Sequence, residues 1–320
     1  MKGLWAAAAA IVLATTAAAN AQGYPNKPIR LLVPFVAGGA VDTLARLIGS
    51  KLSEQMGQPV VVENRAGAGG NLAPDALSKA APDGYTILLT TNGLAISPSL
   101  YRTLPFDARK DFIAVTQVVA SQLVIVATPK LPANSIAELV ALAKAKPGAL
   151  NYGSTGIGNP LHLTMEMLKS ATGISIQAVP YRGDAPLNAA LIAGEVQVAV
   201  VPMSTVLSHV ESGNIKALAV GGAKRSPALP NVPTIAETIP GFESTSWQGL
   251  FVPASTPRDI VMTIQRETAK ALKLPDVMAR LKTGGNEGVG STPEEFDARF
   301  RADIVKFAKI IKDSDIPMQN

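Results

Sequence analysis

The sequence predicts an α/β protein of two lobes with a ligand cleft between them. Three observations carry this. Apolar strand-like runs alternate with helix-period segments, the pattern of βαβ units. A chain of 320 residues exceeds what one compact core usually accommodates. Each half also contains a glycine turn that follows a strand and opens a helix.

The first segment sets the compartment. Lys2 precedes an apolar run from Leu4 to Ala18, and the small-residue triplet Ala19, Asn20, Ala21 follows. That order predicts a cleavable secretory signal peptide over residues 1–21, because the run is too short and wrongly flanked for a transmembrane helix. A periplasmic protein is therefore expected. With no N-terminal cysteine to lipidate, it should diffuse freely.

The run from Ile29 to Val33 is apolar throughout, as a buried parallel strand requires. Gly38 and Gly39 then lead into Val41, Leu44, Ala45, Ile48 and Leu52, whose spacing marks one helix face. The unit repeats with a strand at Val60 to Val62, a loop at Gly67 to Gly70, a helix from Leu72 to Ala80 and a strand from Thr86 to Leu89. Two strand-like runs follow, Ala114 to Val119 and Leu123 to Ala127.

A second α/β unit is expected next. It comprises a helix from Ile136 to Lys146, a strand edge at Asn151 and Tyr152, a glycine turn from Gly153 to Gly158 and a helix from Leu161 to Thr172. The strand Ile176 to Val179, the helix Asp184 to Ala193 and the strands Val196 to Val201 and Ala217 to Val220 complete it. A proline-rich stretch runs from Pro227 to Pro240, after which Trp247 to Val252 returns the chain to the first lobe. The helices Arg258 to Leu272 and Pro293 to Asp313 close it. Residues 22–120 and 246–320 are thus assigned to lobe 1 and 121–245 to lobe 2. Crossings are expected near Val119 to Leu123 and Ser244 to Leu250.

Composition narrows the function. The formal charge of +5 comes from scattered basic residues with no long run, which argues against nucleic-acid binding. There is no cysteine, and the two histidines, His162 and His209, are isolated, so neither disulfides nor a transition-metal site is expected. The glycines at 67, 69 and 70 suggest a dinucleotide fingerprint, but Leu72 stands where its third glycine belongs. No cofactor is expected.

Seven stretches in order give the chain a resemblance covering most of its length. They are YPNKPIRLLVPFVAGGAVDTLARLIGSKL from Tyr24, VVVENRAGAGGNLA from Val60, PDGYTILL from Pro82, NYGSTGIGNPLHL from Asn151, VPYRGDAP from Val179, KALAVGGAKRSPALPNVPTIAE from Lys216 and WQGLFVPASTP from Trp247. The sequence is similar to the Bug family, the extracytoplasmic solute receptors associated with tripartite tricarboxylate transporters. The resemblance implies the type II periplasmic binding protein fold and a monomeric, non-enzymatic receptor. Such a receptor would capture a small organic carboxylate and present it to membrane transporter subunits or a sensor. It also implies that the two glycine turns face each other and grip the carboxylate with backbone amides and water, while the loop at Gly67 to Gly70 forms the cleft rim.

The physical logic stands apart from the family, since helix N-termini expose unpaired N–H groups and a partial positive charge. Candidate ligand residues in the first turn are Phe35, Ala37, Gly38, Gly39 and Asp42, with Asp42 equally a structural cap. In the second lobe they are Gly153, Ser154, Thr155 and Gly156, and at the next turn Arg182 and Asp184, the latter also an N-cap candidate. Thr91 and Asn92 follow the third strand. At Leu94 and Val201 the chain is less polar than the family pattern implies, so these two are expected to form a less polar distal pocket suited to an aromatic or short aliphatic acid. The rival reading is an exported serine hydrolase using Ser154 and His162, although the GxSxG elbow is absent.

Overall fold

The structure is a computed structural model that describes residues 23–156 and 159–319. The expected signal peptide and two residues of the second-lobe turn, Ile157 and Gly158, lie outside the described residues.

The first lobe opens with β1 (Ile29–Val33), α1 (Ala40–Met56), β2 (Val60–Asn64), α2 (Leu72–Ser78), β3 (Thr86–Thr91) and α3 (Gly93–Leu100). The chain then enters β4 (Phe112–Ala127) and the second lobe. That lobe contains α4 (Ile136–Ala145), β5 (Asn151–Ser154), α5 (Pro160–Thr172), β6 (Gln177–Pro180), α6 (Asp184–Ala193), β7 (Val198–Pro202), α7 (Met203–Glu211) and β8 (Lys216–Val220). β9 (Thr245–Pro253) returns to the first lobe, followed by α8 (Arg258–Leu272), α9 (Pro275–Thr283), β10 (Asn286–Gly288) and α10 (Pro293–Asp313).

The strands run in the order β2-β1-β3-β9-β4-β7-β5-β6, with β8 and β10 also pairing β4. β2, β1 and β3 are parallel, as are β7, β5 and β6, whereas β9 runs antiparallel to both β3 and β4. β4 joins the lobes. Its first part lies between β9 and β10, and Leu123 to Ala127 lie between β7 and β8. The two apolar runs of the sequence are therefore one strand, and the polar pair Ser121 and Gln122 marks the passage between lobes.

Alternation along the strands divides each lobe's core in two. Ile29, Leu31 and Val33 pack on one face with the apolar stripe of α1, while Leu32 faces α3 and α10 on the other. The second face holds Trp247, Phe251, Phe296 and Phe300, with ring centroids 5.0–6.2 Å apart where Trp247 meets the others. Gly249 is required between them, since a Cβ there would lie 2.1 Å from Phe296 Cζ. The Trp247 indole donates to Asp303 Oδ2 at 2.7 Å, satisfying its buried N–H.

Three elements escape the sequence pattern. α3 begins in the Asn92-Gly93 pair that resembles a turn and contains Pro98, yet Leu94, Ala95, Ile96 and Leu100 are all buried in the first-lobe core. Tertiary packing outweighs the weak local signal there. α7 starts directly after Pro202, which reads as a terminator in sequence but here sits at the helix N-cap. α9 and the short β10 lie between the two C-terminal helices that periodicity identifies.

Candidate ligand-binding cleft

The loops leaving the carboxyl ends of β1, β2, β3, β5, β6 and β7 converge on a cleft of about 520 Å³ between the lobes. This is where an open parallel sheet is expected to bind a ligand. The N-termini of three helices border it, through Gly39 to Val41 of α1, Asn159 to Leu161 of α5 and Gly183 and Asp184 of α6. Their partial positive charges act together on whatever occupies the space. Among the described lining residues the charged side chains are Arg182 and Asp184.

The β1–α1 turn is held open by Asp42. Its Oδ2 accepts the Gly38 N–H at 2.9 Å and the Arg46 Nε–H at 2.9 Å, and its Oδ1 accepts from Asn64 Nδ2 at 2.9 Å. Asn64 also donates to the Phe35 carbonyl, tying both ends of the turn to β2. Burial disfavours the ionised carboxylate, but the hydrogen bonds from Arg46, Gly38 and Asn64 outweigh it and hold the Asp42 carboxyl below its ordinary pKa. Of the two roles open to Asp42 in sequence, the geometry is that of the cap. The side chain is buried and its oxygens are occupied.

In the second lobe Gly153 and Ser154 lie beneath the cleft. A Cβ at Gly153 would come 2.0 Å from Leu187 Cδ1, so that glycine permits α6 to seat on β5. Ser154 is buried and its hydroxyl donates to the Gly156 carbonyl at 3.0 Å, shaping the turn from inside. Thr155 and Gly156 line the cleft. Asn159 caps α5 by accepting the His162 N–H at 2.9 Å, with Pro160 preset at the first helical position.

The hydrolase pair does not form. Ser154 is engaged with Gly156, while His162 Nε2 sits 3.8 Å from Glu166 Oε1 and its Nδ1 has no partner among the described residues.

Asp184 links the two lobes beside the cleft. Its Oδ2 accepts the Ala40 N–H at 3.2 Å, across 144 positions of sequence, so it serves α1 rather than capping its own helix. Beside it, Gly183 packs on Val36. This contact separates the cleft from a second groove of about 570 Å³, which Gly38 borders on the far side.

Of the residues singled out in sequence, Phe35, Gly39, Thr91, Thr155, Gly156, Arg182 and Asp184 line the cleft. Ala37 and Gly38 are exposed on the outer part of their turn, and Asn92 is buried behind the cleft, donating to the Thr245 carbonyl. The distal pocket expected at Leu94 and Val201 is not there. Leu94 is 2% exposed and Val201 0%, each packed in a core, because the β3 segment continues into a buried helix and β7 is covered on both faces.

The cleft's actual floor comes from residues that sequence reasoning passed over, namely Ser121, Leu123, Ser246 and Gln248 at the crossings, with Tyr181 at one side. One signal was available. Ser246 and Gln248 share strand parity with Leu250 and Val252, so polar residues occupy positions where the strand is otherwise core-facing.

Two α/β lobes joined by extended crossings, with helix N-termini from both lobes around an interlobe cleft, define a solute-binding protein of the type II periplasmic binding protein fold. The chain belongs to the tripartite tricarboxylate transporter family receptors, whose family model matches residues 44–316. It is 36% identical over 298 residues to protein BugT of Bordetella pertussis, covering 92% of this chain and 91% of that one. Among solved structures it is similar to Rpa4515 of R. palustris with adipate, with 36% identity, a TM-score of 0.89 and coverage of 93% of this chain and 100% of that one. MatC of Rhodopseudomonas palustris with bound malate is also similar, with 28% identity, a TM-score of 0.86 and coverage of 90% and 100%.

Proposed function

We propose that this chain is a periplasmic receptor, exported by a signal peptide over residues 1–21, that captures a small organic carboxylate and presents its closed form to a membrane transporter or sensor. The observation that carries this is the convergence of three helix N-termini on one interlobe cleft. Unpaired amides and aligned dipoles stabilise an anion without a dedicated cation. The two related proteins solved with adipate and malate support the same ligand class.

In this reading Gly39 and Thr155 supply backbone amides from opposite lobes, Phe35 walls the pocket, Thr91 donates a hydroxyl and Arg182 adds charge at the rim. The protein acts as a monomer without catalysis. Residues 22–120 and 246–320 move as one lobe and 121–245 as the other, with the strain of closure taken up at β4 and the start of β9.

A thermal-shift panel tests the class. A ligand at about 100 times its dissociation constant stabilises the folded state by roughly 2.7 kcal/mol, so at least one mono-, di- or tricarboxylate should raise the melting temperature while neutral sugars do not. A response to sugars or peptides with none to any acid would refute the reading.

A further inference from the structure

Asp184 differs in its partners from the other acids withdrawn from water in this fold. Asp42 pairs with Arg46, Glu166 with Lys169, Glu267 with Lys270 and Asp303 with Arg299, each at 2.8–3.1 Å. An ionised carboxylate removed from water is costly unless a cation or several donors compensate it. Asp184 is half-buried and, among the described residues, receives one hydrogen bond, from the Ala40 N–H to Oδ2, and no ion pair.

Its place is the ligand cleft. Asp184 lines that space, and so do Gly39 and Ala40, the two residues against which its carboxylate lies. Arg182, two residues earlier on the same turn, also lines the cleft; it is exposed and makes no ion pair among the described residues. The turn between β6 and α6 therefore brings one cation and one anion to the same space, and neither is paired with the other.

We propose that Asp184 recognises a cationic amine on the bound acid, so that the substrate class of this receptor is the amino-carboxylates, zwitterions such as amino acids, rather than simple mono- or dicarboxylates. The inference rests on the carboxylate-receptor reading above and deepens it.

A ligand ammonium supplies what Asp184 lacks. An ionised carboxylate accepts at about four lone-pair positions, and Ala40 takes one of them, while an ammonium brings three donors and a full positive charge. Closing the lobes takes this pair out of water, where attraction between opposite charges strengthens. The ligand's own carboxylate is left to the remaining donors of the cleft, Thr155 and Arg182 among them. A simple acid brings only negative charge to a place that already holds an unpaired one. A hydroxy acid offers Asp184 a hydrogen bond without neutralising it. For ligands identical except at one carbon, the expected order is amine first, then hydroxyl, then the unsubstituted acid.

Isothermal titration of the intact mature protein, stripped of carried-over ligand, tests this with four matched sets. These are alanine, lactate and propionate; aspartate, malate and succinate; 4-aminobutyrate and butyrate; and 6-aminohexanoate and hexanoate. In at least one set the amine should bind about tenfold tighter than its unsubstituted counterpart. This wild-type ranking tests the substrate class without any substitution. Asp184→Asn keeps an acceptor for Ala40, and in it the preferred amine should lose about tenfold in affinity while the unsubstituted acids hold or gain. If the acids bind but no amine is preferred in any set, or if the preference survives in a folded Asp184→Asn, the assignment of Asp184 is overturned while the receptor reading stands. If no member of any set binds, the receptor reading falls and this inference falls with it.

Discussion

Asp184 and Asp42 show how one residue type takes opposite electrostatic roles within a few ångströms of the same helix. Asp42 is surrounded by donors and stays readily ionised. For Asp184, burial pushes the carboxyl pKa up, and the single Ala40 N–H only partly opposes it. Its charge stands beside the α1 N-terminus, where a ligand anion would otherwise benefit most. Asp184→Asn keeps an acceptor for Ala40 and removes the charge. Carboxylates should then bind about three- to tenfold tighter at low ionic strength, with the gain shrinking as salt screens it. Titration calorimetry at two salt concentrations checks this, and an unchanged or weaker affinity would show that Asp184 does not oppose the ligand.

At the scale of the element, α5 joins the cleft to the second-lobe core through its first turn. Asn159 and Pro160 start the helix at the cleft, and His162 points inward with Nδ1 unpaired. Glu166 beside it accepts from Tyr152 Oη and from Lys169 Nζ, each at 2.8 Å. Burial lowers the His162 pKa below its ordinary value, Glu166 opposes the shift and Lys169 reinforces it. The folded state thus binds this proton less readily than the unfolded state. Stability is full above the unfolded value of about 6.5 and declines as pH falls below it toward the folded pKa. Melting curves between pH 5 and 8 should show this decline in the wild type and its loss in His162→Gln. A parallel decline in both proteins would assign the effect to other groups.

At the scale of the whole molecule, the lobes meet where the Val36–Ala40 segment touches Gly183 and Asp184. Gly183 has φ +109°, and a Cβ there would lie 2.6 Å from Val36 Cγ2. A Cβ on Gly39 would come 3.1 Å from Asp184 Oδ2. These two glycines let the lobes approach closely, and closure brings the helix N-termini of both lobes onto one ligand. Gly183→Ala should hold the lobes apart and weaken acid binding by about tenfold or more, while costing stability on the order of 1 kcal/mol through backbone strain. Small-angle scattering at ligand saturation should give the variant a larger radius of gyration than the wild type. Equal radii together with equal affinity would remove this contact from the closing motion.

The alternation of strands and helices, the glycine turns after β1 and β5, and the faces of α1, α8 and α10 are all legible in sequence, because hydrophobic periodicity and capping chemistry act over a few residues. The ordered family motifs likewise point to a solute receptor. Local patterns did not reveal that the two apolar runs around Ser121 form one strand, or that Leu94 opens a buried helix rather than a pocket wall. The cleft floor lay further out of reach, since Thr91, Ser121 and Gln248 come from three distant strands and become neighbours only through the β3-β9-β4 order. The same holds for Asp184, which appears in sequence to cap its own helix but bonds to α1 in the other lobe. Local chemistry determines the elements and their turns. Which polar groups face the ligand depends on long-range strand order and lobe closure, which bring together residues that share no local pattern.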